Sequence, residues 1–312
     1  MLRQDVVEPT LELPKAAAQR SDRGLLAVAG AYLSLTKPRI IVLLLVTTVP
    51  TMMIAQGGMP SLWLVLLTLL GGTLAAGGAN AINCFLDRDI DGIMSRTRER
   101  ALPTGSVEPE RALVFGISLG VLAFVVLALG ANLLSAALAI TALTFYVFVY
   151  TIWLKRSSTQ NIVIGGAAGA MPPLVGWAAV TGGLGWPALV LFAIVFLWTP
   201  PHFWALALRY RSDYARAGVP MLPVVRGEEE TRRQMLLYSV LLVTSTLVLV
   251  PVAAMGWLYL GAALALGGGF LWLAFRLWRK PTAQATRALF LYSIPYLGLL
   301  FVAMGVDQAL PW

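Results

Sequence analysis

The sequence predicts an all-α polytopic membrane protein with about nine transmembrane helices, and three observations lead there. Of its residues, 58% are hydrophobic and only 12% are charged, far from the mixture of a water-soluble domain. Long uncharged windows recur along the chain, such as WLVLLTLLGGTLAAGGANAI from Trp63 to Ile82. Lys and Arg are confined to alternate connections between those windows, the charge pattern of a chain threaded through a bilayer.

Residues 1–36 carry Arg3, Lys15, Arg20 and Arg23 beside Asp5, Glu8, Glu12 and Asp22, with no apolar core before residue 40. This is neither the apolar centre of a secretory signal nor the acid-poor composition of a transit peptide. It reads as a soluble extension, with residues 37–312 as the membrane domain. A hydrocarbon core of roughly 30 Å takes about 20 apolar residues per helix. Windows of that kind lie at about 40–57, 62–84, 112–130, 133–154, 161–181, 187–208, 236–255, 257–275 and 288–306.

With nine spans, the N-terminus and the even-numbered connections share one side of the bilayer. All 23 Lys and Arg fall on that side, while connections such as GGMPS, GANLL and TGGLGW have none. The positive-inside rule therefore places the N-terminus and the long loops in the cytoplasm and the C-terminus outside. Of the 15 acidic residues, Asp307 alone lies on the outer side. The net charge of +8 is thus a topological requirement, and nucleic acid is not a partner implied by it; the lipid bilayer is. The single cysteine, Cys84, excludes an intramolecular disulfide and reads as a small packed residue,. The clusters GGTLAAGG and IGGAAGA permit close helix approach, with room for a bulky ligand as their other use.

The chemistry begins where the second span ends, in NAINCFLDRDID, residues 80–91. Positions four apart share a helix face, so Asn83, Asp87 and Asp91 form one stripe, with Asn80 close to it. Two carboxylates and an amide oxygen are hard ligands suited to Mg²⁺ together with phosphate oxygens. A solvated acidic loop is the plain alternative, but the stripe starts inside a span, where polar groups are costly and usually functional. It is followed by SRTRERALPTG, with Arg96, Arg98 and Arg100, a loop suited to phosphate,. A second polar block, RYRSDYARAGVPMLP, recurs after the sixth span with Arg209, Arg211, Asp213 and Arg216.

These motifs resemble the intramembrane aromatic prenyltransferases, a family that includes enzymes of quinone synthesis. The resemblance implies two acidic motifs facing each other across a central cavity open to the cytoplasmic side, holding a Mg²⁺-bound isoprenyl diphosphate. Most members carry paired aspartates in the second motif, whereas the position four before Asp213 is Arg209. That departure, with TKPR, RTRERALPTG, NIVIGGAAGAMPPLVGW, TPPHFWALA and DYARAGVPMLPV, is similar to one branch, the protoheme IX farnesyltransferases.

On that resemblance, Asp87, Asp91 and Asp213 are the catalytic acids, and with Asn83 they hold Mg²⁺. Farnesyl diphosphate and heme b are the substrates, heme O the product, and the bacterial plasma membrane the location. A heme-modifying enzyme or terminal-oxidase assembly proteins are the downstream partners implied. Arg88, Lys155, Arg96 and Arg209 are candidates for the diphosphate, and Lys37 and Arg39 for the heme propionates, although flanking of the first span explains the last two equally. His202 is the sole histidine; a histidine bonded between helices is the plain reading, and the resemblance turns it toward heme, with Phe203 and Trp204 as flat contacts. A quinone-precursor prenyltransferase is the nearest alternative, and a polytopic transporter the alternative from another class.

The topology is tested by fusing alkaline phosphatase, which matures only where disulfides form, to two positions. Fusion after Trp312 is expected to be active and insertion within the loop 96–105 inactive; the opposite pattern would invert the bundle.

Overall fold

The structure, a computed structural model, describes residues 24–310. Among them, nine helices are long and apolar enough to cross a membrane. A shorter helix, α1 (Leu25–Thr36), precedes the first span, α2 (Pro38–Gln56). The second span, α3 (Leu62–Leu86), is followed by the short α4 (Arg88–Ile93). Spans three to six are α5 (Pro109–Gly130), α6 (Leu133–Ser157), α7 (Asn161–Thr181) and α8 (Trp186–Arg209). Two short helices, α9 (Arg211–Arg216) and α10 (Leu222–Val225), lead to α11 (Gly227–Val252), α12 (Trp257–Arg279) and α13 (Ala283–Ala309).

Most spans begin and end within a few residues of the apolar windows. The exception is α11, which starts at Gly227 rather than near 236 because GEEETRRQM is helical yet too polar to read as membrane. Its three glutamates, Glu228, Glu229 and Glu230, sit in the first turn, where the helix dipole favours negative charge. A second difference is α1, which lies inside the stretch read as a soluble extension. It is apolar and docks on α3: the Asn80 side-chain amide donates to the Thr36 carbonyl at 2.9 Å, and Leu35 is buried with Ala81, Cys84, Leu102 and Val107. Residues 1–23 of the expected extension lie outside the described residues.

Local signals account for several helix starts. Ser61, Asn132 and Thr282 each accept a backbone N–H with the side chain, from Leu64, Ser135 and Ala285, the usual N-cap device. Asp307, the lone acidic residue of the other side, does the same for a neighbouring helix. It is buried and accepts from the N–H groups of Gly256 (2.7 Å) and Tyr259 (3.0 Å) at the start of α12. Trp63, Trp186 and Trp257, at the starts of α3, α8 and α12, are 70%, 77% and 78% exposed. They ring one end of the bundle as an interfacial belt does, independently of the Lys and Arg pattern.

α6 changes character midway, running as α-helix to Thr144 and as π-helix from Phe145 to Leu154. α7 breaks at Ala170, where Pro172 and Pro173 remove the N–H groups that would continue the ladder. The small-residue clusters are packing devices: a Cβ on Gly165 would lie 2.3 Å from the Tyr150 ring, and one on Gly166 would lie 3.0 Å from Thr199.

The tightest backbone approach joins α3 to α5, where a Cβ on Gly78 would sit 2.6 Å from the Gly116 carbonyl oxygen. Backbone cannot swing aside as a side chain can. Gly78→Ala is therefore expected to lower stability by roughly 1–3 kcal/mol, read as a lower thermal midpoint in detergent. At Gly72 a Cβ would meet nothing within 4 Å, and Gly72→Ala is expected to be neutral or stabilising.

Candidate active site

The polar residues collect where α3, α6 and α8 end and where α2 begins. Asp87 caps the end of α3 and is completely buried. Its Oδ2 accepts from the Asn83 amide at 2.7 Å and from the Lys155 ammonium. Its Oδ1, also buried, has no hydrogen-bond partner, with the Arg156 guanidinium 3.8 Å away. Arg156 is instead committed to Asp89, holding both carboxylate oxygens at 2.8 Å, which keeps that carboxyl down to about 2.

Asp91 is buried on α4 and is gripped at both oxygens by Arg100, at 3.0 and 2.7 Å. The loop can fold back this way because the Thr97 hydroxyl donates to the Asp91 carbonyl. Asp213, on α9, accepts from the backbone and the hydroxyl of Ser95 and from Arg216. Ser95 therefore ties the loop after the first acidic motif to the second motif. Among the described residues, no three His, Cys, Asp or Glu side chains converge as a metal-binding group, so Asp213 does not join Asp87 and Asp91 in one cluster.

Lys37 occupies the turn between α1 and α2 in the left-handed region, at φ 54°, a conformation that costs a non-glycine residue on the order of 1–2 kcal/mol. The turn aims its ammonium at the Asn83 Oδ1, 2.8 Å away, and burial pulls the Lys37 ammonium down to about 8. Lys37 thus stands at the acidic stripe.

The orientation of the Asn83 amide follows from a hydroxyl that sequence reasoning missed. Thr151, completely buried on the π-helical part of α6, donates its only hydroxyl proton to the Tyr146 carbonyl at 2.9 Å. Toward Asn83 it can only accept, and it does so from Nδ2 at 3.1 Å. The amide nitrogen is thereby turned to Thr151 and Asp87, leaving the amide oxygen on the Lys37 side.

The remaining cations divide. Arg96 stands over the Tyr210 ring at 6.0 Å. Arg39 is exposed at the start of α2. Arg88 folds back on its own helix end, donating to the Phe85 carbonyl at 2.6 Å and lying over the Phe85 ring. Arg209 is exposed over the Tyr210 ring. The last three do not join the acidic cluster, because side chains at a helix end reach solvent more readily than a buried carboxylate already paired by another element. Arg100 and Ser95 take places that neither motif alone assigned, and the chain distance between Ser95 and Asp213, 118 positions, leaves no local signal.

His202 lies further along α8, flat between Trp198 (centroids 4.3 Å apart, 15°) and Phe290 (5.0 Å, 21°). Its Nδ1 is 2.6 Å from the Ser293 hydroxyl. Trp204 is packed in the core, edge-on to Tyr238, and not on the His202 side as a flat ligand contact, since two helix positions turn a side chain about 200° around the axis.

Comparison with known proteins follows this geometry. Residues 44–301 match the model of the UbiA prenyltransferase family. The chain belongs to that family. Two of its relatives carry the name protoheme IX farnesyltransferase: a Gloeobacter violaceus protein, 60% identical over 93% of this chain and 96% of its own length, and one from Saccharopolyspora erythraea, 58% identical over 92% and 91%. Among solved structures, one of digeranylgeranylglyceryl phosphate synthase superposes with TM-score 0.74 at 18% identity, over 90% of this chain and 99% of that one. A UbiA homolog from Archaeoglobus fulgidus bound to GPP and Mg²⁺ does so with TM-score 0.68 at 18% identity, over 89% and 99%. At such identities these two structures establish the fold of this UbiA-family chain: an all-α integral membrane bundle.

Arg100→Ala strips a buried carboxylate of its partner, and such losses cost roughly 3–5 kcal/mol when fully buried. With Arg100 itself partly wet, the expected loss is smaller, read as a lower thermal midpoint without added metal. Adding Asp91→Asn is expected to recover part of it; additive losses would mean that the pair is not coupled.

Proposed function

We propose that this chain transfers the farnesyl group of farnesyl diphosphate to a vinyl group of heme b, with addition of water, giving heme O and diphosphate. The observation that carries the acceptor is identity near 60% across nine-tenths of both chains to proteins named protoheme IX farnesyltransferase. What supports the donor is the set of cations Lys37, Arg100 and Lys155 on Asn83, Asp91 and Asp87 of the acidic stripe, suited to diphosphate oxygens. A quinone-precursor acceptor and a transporter have no comparable support.

Asn83, Asp87, Asp91 and Asp213 are the residues that would hold Mg²⁺, and their fit differs. The buried, unpartnered Oδ1 of Asp87 suits a hard cation as it stands,, while the amide oxygen of Asn83 would serve once the Lys37 ammonium leaves it. Asp91 is held by Arg100 at both oxygens and Asp213 by Arg216 and Ser95, and both would contribute by exchanging partners. Bound magnesium supplies charge stabilisation for the departing diphosphate.

The chain's own groups do the rest. Arg100 and Lys155 release carboxylate, and Lys37 the Asn83 amide oxygen, to take diphosphate oxygens, steadying the leaving group as the C1–O bond of the farnesyl chain breaks. The heme vinyl group bonds to C1, and water adds to the resulting porphyrin-side cation with loss of one proton. The aromatic pair Tyr146 and Tyr150, stacked at 5.2 Å on α6, offers a wall against early hydration of the allylic centre. His202 faces the heme from α8. The reaction face is cytoplasmic, in the plasma membrane of a bacterium, with the C-terminus outside; the product passes to a heme-modifying enzyme or to oxidase assembly.

Membranes carrying the protein are incubated with heme b, farnesyl diphosphate and Mg²⁺, with or without chelator, and extracted hemes are weighed by mass spectrometry. Heme plus one farnesyl and one water is expected only without chelator. Asp87→Asn and Asp91→Asn are each expected to abolish it while protein remains in the membrane; wild-type turnover in both would sink the metal assignment.

A further inference from the structure

We propose that Ser293 fixes the tautomer of His202 and so presents the ring's Nε2 as an electron-pair donor toward heme. This rests on the reading that His202 faces the heme acceptor. The argument is one of proton counting. The Ser293 hydroxyl has a single proton and two lone pairs. That proton is spent on the Phe290 carbonyl, 2.6 Å away in its own helix, and a carbonyl can only accept. The short contact to the His202 Nδ1, also 2.6 Å, must therefore run the other way, with Nδ1–H donating and the Ser293 oxygen accepting. A neutral imidazole with its proton on Nδ1 has its lone pair on Nε2.

The same serine also fixes the ring. Its backbone carbonyl accepts from the Trp198 indole N–H at 2.7 Å, and Trp198 stacks on one face of His202 while Phe290 covers the other. The imidazole plane is held by that sandwich. A half-turn of the ring within the plane would put carbon where Nδ1 meets Ser293 and lose the bond. No hydrogen bond among the described residues reaches Nε2, and the residue is only partly buried, so Nε2 is the nitrogen left for a ligand. Histidines that bind metals are commonly oriented in this way, by a partner on the nitrogen that is not coordinated. Ser293 is a positioning residue in this scheme and does not touch substrate.

That His202 is the only histidine makes the test direct. Full-length protein labelled with ¹⁵N in histidine alone carries one imidazole, and its nitrogen shifts report which atom bears the proton. The wild type is expected to give a protonated Nδ1 and a bare Nε2; a protonated Nε2 overturns the proposal. Ser293→Ala is expected to lose the single tautomer, and Ser293→Thr, which keeps a hydroxyl, to regain it. An unchanged spectrum in Ser293→Ala overturns the role of the serine. Adding heme b is expected to shift or broaden Nε2, and Ser293→Ala to weaken heme affinity about 10- to 100-fold, as loss of such a partner does elsewhere. A bare Nε2 that ignores heme would overturn the heme-facing half while leaving the tautomer assignment standing, and farnesylation by the wild type in the same preparation separates that result from failure of the proposed reaction.

Discussion

Three aspartates withdrawn from water set the terms for one end of this bundle. Asp87, Asp91 and Asp213 are each at most 4% exposed, where an unpaired carboxylate is expensive. Each has a counter-cation brought by a different stretch of chain: Lys155 from α6, Arg100 from the loop beyond α4, Arg216 from the last turn of α9. The Asp87–Lys155 pair therefore fixes the end of α3 against the end of α6, the Asp91–Arg100 pair folds the loop back on α4, and Ser95, donating to Asp213, ties that loop to α9. The same pairs balance the charge of the buried carboxylates.

Within that frame, polarity is set by hydroxyl groups that spend their only proton locally. Thr151 donates to Tyr146 and Ser293 donates to Phe290, each within its own helix. Each must then accept from its long-range neighbour, Asn83 in one case and His202 in the other. A back-bonded hydroxyl in a helix slightly disfavours that helix. Here it dictates the orientation of the Asn83 amide and, on the proposal above, the tautomer of the His202 imidazole.

The spans were legible because about 20 apolar residues have few other uses, and the acidic stripe because carboxylates rarely enter a span. The partners were not. Arg100 lies nine positions from Asp91 on a loop whose fold-back has no periodic signal, and Ser293 is 91 positions from His202. Arg39 and Arg88 stand at helix ends, where the positive-inside rule and the binding of an anionic substrate ask for the same residues. α1 was under-read because its apolar run, LLAVAGAYLSLT, is too short to span a membrane.

The π-helical stretch of α6 has one more consequence. A π-turn holds one residue more than an α-turn, and it is this slack that lets the Thr151 hydroxyl reach the carbonyl five residues back. A one-residue deletion between Thr151 and Lys155 would turn Lys155 by about 100° relative to Thr151. Asn83 would then keep Thr151 or Asp87 would keep Lys155, but not both. The length of this segment is thus a molecular spacer, and substitutions can accumulate along its lipid face while insertions and deletions cannot.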